Sequence, residues 1–390
     1  MGKLRIGLFF GGRSTEHEVS IITALQAYEN LDLSKYEVIP VYVSKNEEFY
    51  TNPKFLSFKN YRDLNSFLLS STKVIVGSRD GAGGLWTSGI LPKFIPFDVA
   101  FPAFHGSFGE DGSIQGVFEI YQIPYVGFNV LGSSIGMDKI AQKAMFKEWN
   151  LAVGKYTWLK RIDFIKDPKR CLKEIQNVVK FPLFVKPANI GSTIGVNKAK
   201  NLEELEFNIE VASAYSDKIL IEEAIVGENI IEINCAALGY LNVQISVCEM
   251  PIRTGDALTF DDKYKRGGKG SKGGSKSAGM ASLDRIIPAP IPDKLTKEIQ
   301  DATFRIFSGM DGCGVARIDY FVDKKTNKFW VNEINTIPGS LSFYLYEPLG
   351  IKYQNLLDIV IQAALERYDD QKKTKFSFDS DLLSLMAQKS

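Results

Sequence analysis

Histidine is nearly absent from this chain. Its 390 residues include only His17 and His105, too few for a metal centre built on clustered imidazoles. Cysteine is scarce as well. Cys171, Cys235, Cys248 and Cys313 lie far apart with no C-x-x-C spacing, so neither a zinc knuckle nor a disulfide framework is expected, and the thiols read as reduced in a cytoplasm. Charge of either sign is not in excess: 47 basic against 46 acidic side chains leave a net charge of +1. That argues against a partner held by bulk charge, whether nucleic acid or a membrane surface. No apolar run reaches the roughly 18 residues of a membrane helix. The opening MGKLRIGLFFGG is too short in its apolar part for a signal peptide and is followed by no small-residue cleavage site. No internal repeat is visible.

What remains is the composition of an ordinary globular protein, 45% hydrophobic and 24% charged. Its length is enough for two or three domains of roughly 100–200 residues each. KLRIGLFFGG reads as a strand closed by Gly11-Gly12, with Ser14 or Thr15 capping the helix that follows. YEVIPVYVS (36–44), VIVG (74–77) and FDVAFPAF (97–104) read as further strands. This alternation predicts an α/β domain with a largely parallel sheet, ending near PYVG (124–127), and a helix follows over about 138–149.

Beyond residue 153 the pattern changes. Strands are expected in KFPLFVKPA (180–188), VNKA and KILIEEAI (218–225), and an antiparallel pair in EINCAALG (232–239) with NVQISVCEM (242–250). RGGKGSKGGSKSAGMASLDR (266–285) has too few apolar residues to pack and reads as a mobile loop or lid. A helix over 293–310, strands at 314–322 and 328–335, and a helix over about 353–368 complete the chain, before a tail with little to pin it but LLSLM.

Four clusters carry chemistry. On the last pair of strands, Arg317 and Asp319 stand two residues apart, as do Glu333 and Asn335. Side chains at that spacing share a face. A hairpin through DKKTN would collect three oxygen donors and one cation on one face, a set suited to Mg²⁺, which favours carboxylates plus phosphate oxygens. FVKPANIGSTIGV (184–196) runs a lysine-bearing strand into a small-residue turn where backbone N–H groups can approach phosphate. It lacks the Lys-Ser/Thr of a Walker A loop. ILIEEAI places acids at a strand end. FPAFHGSFGEDGSIQG and GGRSTEHEVS are loops at strand ends of one sheet, where open α/β sheets bind ligands.

In this order, GGRSTEHEVS, FHGSFGEDGSIQG, PYVGFNVLGSSIGMDK, FPLFVKPANIGSTIGV, DKYK, GVARIDYF and NEINTIPG resemble the D-alanine–D-alanine ligase family of the ATP-grasp superfamily over roughly residues 4–368. The resemblance implies an ATP-grasp fold behind a Rossmann-like N-terminal domain (1–130), a small central domain (131–227) and a C-terminal domain (228–370) with a mobile lid (260–285), leaving a tail at 371–390. It implies ATP held between two antiparallel sheets with two Mg²⁺ (or Mn²⁺) on its phosphates, D-alanine as substrate, and a homodimer.

By the same resemblance, Lys139 and Lys186 face phosphate, and Glu222, Glu223, Ile225 and Asn332 lie on the adenine and nucleotide side. The ribose carboxylate is Glu232 or Glu228, with Glu232 favoured. Asp319, Glu333 and Asn335 hold metal. Arg317 and the Gly339 N–H stabilise the tetrahedral intermediate. Glu16 receives the first substrate's ammonium, with Ser192 and Tyr264 hydrogen-bonded to it, His105 near the carboxylate, and Lys263 on the mobile loop. Tyr264 favours an amine nucleophile, because the ester-forming relatives usually carry histidine there.

Two stretches depart from the family pattern. The loop after Tyr264 is longer and more basic than usual. After NEINTIPG, where the family has a Thr/Ser-rich segment gripping the second substrate's carboxylate, this chain reads SLSFYLYEP. Ser340, Ser342 and Tyr344 are the candidates there, and counting sets Tyr344 at the family's serine. The implied activity is ATP-dependent joining of two D-alanines for peptidoglycan synthesis. The second reading is a ligase joining D-alanine to a different amino acid. A nucleotide-binding module without activity is disfavoured by the intact set Lys139, Lys186, Arg317, Asp319, Glu333 and Asn335.

Overall fold

The computed structural model describes residues 2–252 and 284–388. Lys263, Tyr264 and most of the expected lid lie outside the described residues. The remainder is built on three main sheets, with a short two-stranded ribbon of Met250–Pro251 and Arg285–Ile286.

The first sheet has seven strands in the order Phe94–Pro96, Ala82–Thr87, Thr72–Arg79, Phe49–Thr51, Tyr36–Val43, Leu4–Gly11, Val99–Pro102. Only Leu4–Gly11 with its two neighbours is parallel. The four strands on the other side are antiparallel. The expectation of a largely parallel sheet is therefore corrected. Between Val43 and Phe94 three of the four connections are short returns such as Arg79–Ala82, too short for the crossover helix a parallel pair needs. The fourth, 52–71, carries the short helix Leu64–Leu69 and still brings its strand back antiparallel. Leu4–Gly11 keeps Ile6, Leu8, Phe9 and Phe10 fully buried, as befits a central strand covered on both faces. It ends at Gly11, whose φ of +95° and contact with the Val43 carbonyl leave no room for a Cβ. The chain turns sharply there and enters the helix His17–Asn30. Neither Ser14 nor Thr15 is the N-cap. Glu16 occupies that position, and the Ser14 hydroxyl accepts the Glu16 N–H.

The second sheet is wholly antiparallel, in the order Asn197–Ala199, Leu183–Pro187, Lys218–Glu223, Tyr156–Lys160. The third is also antiparallel, in the order Gln244–Ile245, Ile230–Gly239, Gly314–Asp323, Lys328–Asn335. The expected hairpin pairs Arg317 with Asn335 and Asp319 with Glu333. Its turn is held by Asp323, which accepts from the Lys325 N–H and the Thr326 hydroxyl. The register shifts after Asp319, so that Tyr320 faces Val331 and Asn332 is the extra residue of a β-bulge.

Helix Asp293–Gly309 lays Ile299, Ile306 and Phe307 against the third sheet. Helix Tyr353–Gln371 fills the junction of the first and third sheets with Leu356, Leu357, Val360 and Ala364. In the tail, Leu382–Ala387 is a short helix with Leu382, Leu383 and Met386 exposed. All four cysteines are buried free thiols. Among the described residues no helix is long and apolar enough to cross a membrane.

Candidate active site

One cavity opens where the three sheets meet. Glu16, His105, Lys139, Lys186, Ser192, Glu222, Glu223, Ile225, Glu232, Arg317, Asp319, Asn332, Glu333, Asn335 and Gly339 all line it. Glu228 is exposed and is not among the lining residues, whereas Glu232 is. Ser340, Ser342 and Tyr344 also lie outside the lining: all three are buried behind the turn that follows Gly339.

Cations dominate one side. Asp138 caps the helix Lys139–Glu148 by accepting the Ile140 and Ala141 N–H groups. Lys139 is thus a cation at the positive end of a helix, an unfavourable placement that a bound anion would relieve. Its Nζ donates to the Ile190 carbonyl at 2.8 Å and stands 3.7 Å from Glu333. One turn on, Lys143 is buried and pairs with Glu222 at 2.8 Å, and Lys186 from the second sheet pairs with the same carboxylate. Burial alone would raise Glu222, but the two lysines outweigh it and hold the carboxyl at about 2. Burial lowers Lys143. Sequence reading missed Lys143. Its spacing of four from Lys139 on one helix face was the available signal.

Acids dominate the opposite side. Arg317 grips Asp319 through two N–H···O bonds of 2.6 and 2.8 Å, and Asn335 donates to Asp319 at 3.1 Å. Burial disfavours the charged guanidinium, yet Asp319 keeps Arg317 firmly protonated. Asp319 and Glu333 are direct cross-strand partners. Two carboxylates and an amide oxygen on one hairpin face are hard donors of the kind Mg²⁺ takes alongside phosphate oxygens.

At the third corner the Ser192 hydroxyl donates to Glu16. Ser192 and Thr193 adopt left-handed φ values of 53° and 63°, which bring the small-residue turn against that carboxylate. His105 Nε2 lies 2.7 Å from the Thr23 hydroxyl. Burial pushes His105 down to about 4, so it is neutral at pH 7. His17 turns away from the cavity, bonded to the Gly12 carbonyl and Tyr42. Glu110 was not singled out by sequence reading, although it lies in FHGSFGEDG. It accepts the Gly106 N–H at 2.7 Å and the Ile337 N–H at 3.1 Å, and its carboxyl is pushed up to about 8 by burial and by Glu16.

Behind the Gly339 turn, Arg285 lies over the Tyr344 ring at 3.7 Å and pairs with Glu249 at 2.6 Å. Arg285, Glu249 and Asn234 line the cavity beside Arg317.

Two family models match the chain. Residues 5–128 match the D-ala D-ala ligase N-terminus and residues 145–362 the D-ala D-ala ligase C-terminus. The chain is 37% identical to the D-alanine–D-alanine ligase of Caldicellulosiruptor bescii, over 97% of this chain and 99% of that one. Among solved structures, the D-alanine–D-alanine ligase from Coxiella burnetii superposes with a TM-score of 0.78 at 27% identity, covering 96% of this chain and 97% of that one. The VanG D-Ala:D-Ser ligase from Enterococcus faecalis superposes with a TM-score of 0.76 at 27% identity, covering 93% and 100%. Two matched halves, a full-length relative above 30% identity and a cavity lined by both sets of motifs lead to one conclusion: the chain belongs to the D-alanine–D-alanine ligase family.

Proposed function

We propose that this cavity joins two D-alanines at the expense of ATP, releasing D-alanyl-D-alanine, ADP and phosphate, and that the product feeds peptidoglycan synthesis in the cytoplasm. The observation that carries the reading is the convergence of Lys139, Lys186, Arg317, Asp319, Glu333, Asn335 and Gly339 on one cavity. The carboxylate of the first D-alanine attacks the γ-phosphate to form an acyl phosphate. The amine of the second attacks that carbonyl, and phosphate leaves. This chemistry requires no protein nucleophile. It requires alignment and charge neutralisation.

Lys139 and Lys186 orient and neutralise the phosphates. Glu222, Glu223 and Ile225 border the base, and Glu232 reaches the ribose. Asp319, Glu333 and Asn335 would hold two Mg²⁺ (or Mn²⁺), which would supply positive charge against the phosphate oxygens. Glu16, assisted by Ser192, receives the first substrate's ammonium. His105, neutral as placed, donates toward its carboxylate. Arg317 and the Gly339 N–H stabilise the oxyanion of the tetrahedral intermediate. Lys263 and Tyr264 belong to this proposal on resemblance alone. So do the division at residues 130 and 227 and a homodimer, which light scattering in solution would test.

A second reading keeps the ATP chemistry and changes the nucleophile to another amino acid such as D-serine. It is supported by the burial of Ser340, Ser342 and Tyr344 away from the cavity and by the likeness to a D-Ala:D-Ser ligase. Phosphate release with ATP, Mg²⁺ and D-alanine alone, the dipeptide being seen by mass spectrometry, is the expected result. Silence with D-alanine alone but release with a D-alanine/D-serine pair would replace the first reading by the second.

A further inference from the structure

The turn Ile337-Pro338-Gly339-Ser340 belongs to the third sheet's side of the molecule, yet both of its flanks are held by the first sheet's side. Ahead of Gly339, the Ile337 N–H donates to Glu110 Oε1 across 227 residues of chain, while Glu110 Oε2 holds its own loop through the Gly106 N–H. After Gly339, the Ser340 hydroxyl donates to Gln26 Oε1 at 2.9 Å, and both side chains are buried. Gln26 lies on the helix His17–Asn30 three residues beyond Thr23, which holds His105. Residues at that spacing share a helix face. One helix face and one loop therefore brace the first-substrate corner and the turn together.

The turn is held in a costly shape. Ser340, Leu341 and Ser342 have φ values of 53°, 51° and 49°, three consecutive non-glycine residues in the left-handed region. Each such residue costs about 1–2 kcal/mol. Conformations of this kind persist where the surroundings over-determine them, and they concentrate at functional sites. Here the surroundings are the Gln26 bond, the Leu341 N–H bonded back to the Pro338 carbonyl at 2.8 Å, and the burial of Leu341 in the core.

We propose that Glu110 and the Gln26–Ser340 pair are positioning residues that clamp the Pro338-Gly339 turn from both sides and so aim the Gly339 amide at the reacting carbonyl. Ser340 then serves the turn, not the second substrate's carboxylate. The inference rests on the assignment of Gly339 as an oxyanion donor. A donor of that kind works only when held at hydrogen-bond distance from the developing charge, and a displacement near 1 Å costs on the order of 100-fold in rate.

The test is steady-state kinetics and melting of the full chain with three variants. Ser340→Gly removes the hydroxyl and relieves the left-handed strain. It is expected to lower kcat about 10-fold while the melting temperature stays level or rises and KM for ATP moves less than about twofold. Glu110→Gln keeps one acceptor and loses the other, and is expected to behave alike in kcat and KM. The double variant should fall by less than the product of the two, because both act through one amide. Wild-type kcat in Ser340→Gly, or a loss expressed as a higher KM for ATP, overturns the clamp, and Ser340→Gly decides the matter alone if Glu110→Gln does not fold. Glu333→Gln separates the two levels. If that variant is dead while the clamp variants are normal, the clamp fails and the site assignment stands. If it retains most of its activity, the assignment beneath the clamp fails.

Discussion

The two antiparallel sheets face the same cavity with opposite charge. On the second sheet's side, Lys143 and Lys186 share the single carboxylate of Glu222, with Lys139 close by. On the third sheet's side, Asp319 is shared by Arg317 and Asn335, and Glu333 adds a second carboxylate. One wall carries surplus positive charge and the other surplus negative charge. The first is suited to a polyphosphate, the second to the cations that accompany one. Since a buried like-charge surplus costs stability unless it is paired, each wall is best satisfied by the ligand the other would repel. This contrast explains how a chain of net charge +1 can still build an intensely charged site.

The largest expected effect comes from weakening the acidic wall. Glu333→Gln removes one carboxylate facing the cavity and no core volume. Turnover should fall to background while the melting temperature holds, because the change touches none of the mechanisms that give large stability losses. A variant retaining most of its phosphate release would break the assignment of that wall to metal.

Next comes the cationic wall, where the effect should be on folding. Lys143 and Glu222 are both buried, at 3% and 7% side-chain exposure. Lys143→Met takes one of two cations from Glu222 and leaves the buried carboxylate still paired with Lys186. The loss is that of a hydrogen bond to a charged group, about 1.5–3 kcal/mol, and not that of an unpaired buried charge. Chemical denaturation at pH 7 measures it. The pH sign follows from the carboxyl being held at about 2 against 4.5 in the ordinary state. Its contribution is complete above pH 4.5 and fades as pH falls toward 2, so wild type and variant should converge in acid. A constant gap across that window would show that the loss is packing, not charge.

How much of this was legible in the sequence follows the same division. The hairpin face with Arg317, Asp319, Glu333 and Asn335 could be read directly, because alternation along a strand is local and the DKKTN turn is short. The extra residue Asn332 marks where that rule slips by one. The first sheet's direction was misjudged because strand periodicity does not reveal whether the next strand returns parallel or antiparallel. Lys143 and Glu110 were passed over for another reason. Each depends on a partner far away in sequence, Glu222 for the lysine and the Ile337 N–H for the acid. Ser340 stands in the sequence as one candidate substrate ligand, and its hydrogen bond to Gln26, on a helix over 300 residues earlier, is something no local spacing could show. Motif spacing identifies what a loop can do, whereas long-range hydrogen bonds decide which member of the loop does it.

The last effect is read as a slope across pH and concerns Glu110, a buried acid near Glu16 that lines the cavity. Burial and the nearby Glu16 push its carboxyl up to about 8, against 4.5 in the ordinary state. Between those values the unfolded chain has released the proton while the folded chain keeps it. Stability therefore falls as pH rises through that window, by at most about 1.4 kcal/mol per pH unit from this group. Glu110→Gln has no proton to release, so its stability should decline less steeply from pH 5 to 8 than that of the wild type, whatever its kcat. Denaturant melts at intervals across that range give both slopes. Equal slopes would mean that Glu110 is ionised when it accepts the Ile337 N–H, and the clamp on Gly339 would then be a charged one, stronger than a neutral hydrogen bond and insensitive to pH above 5.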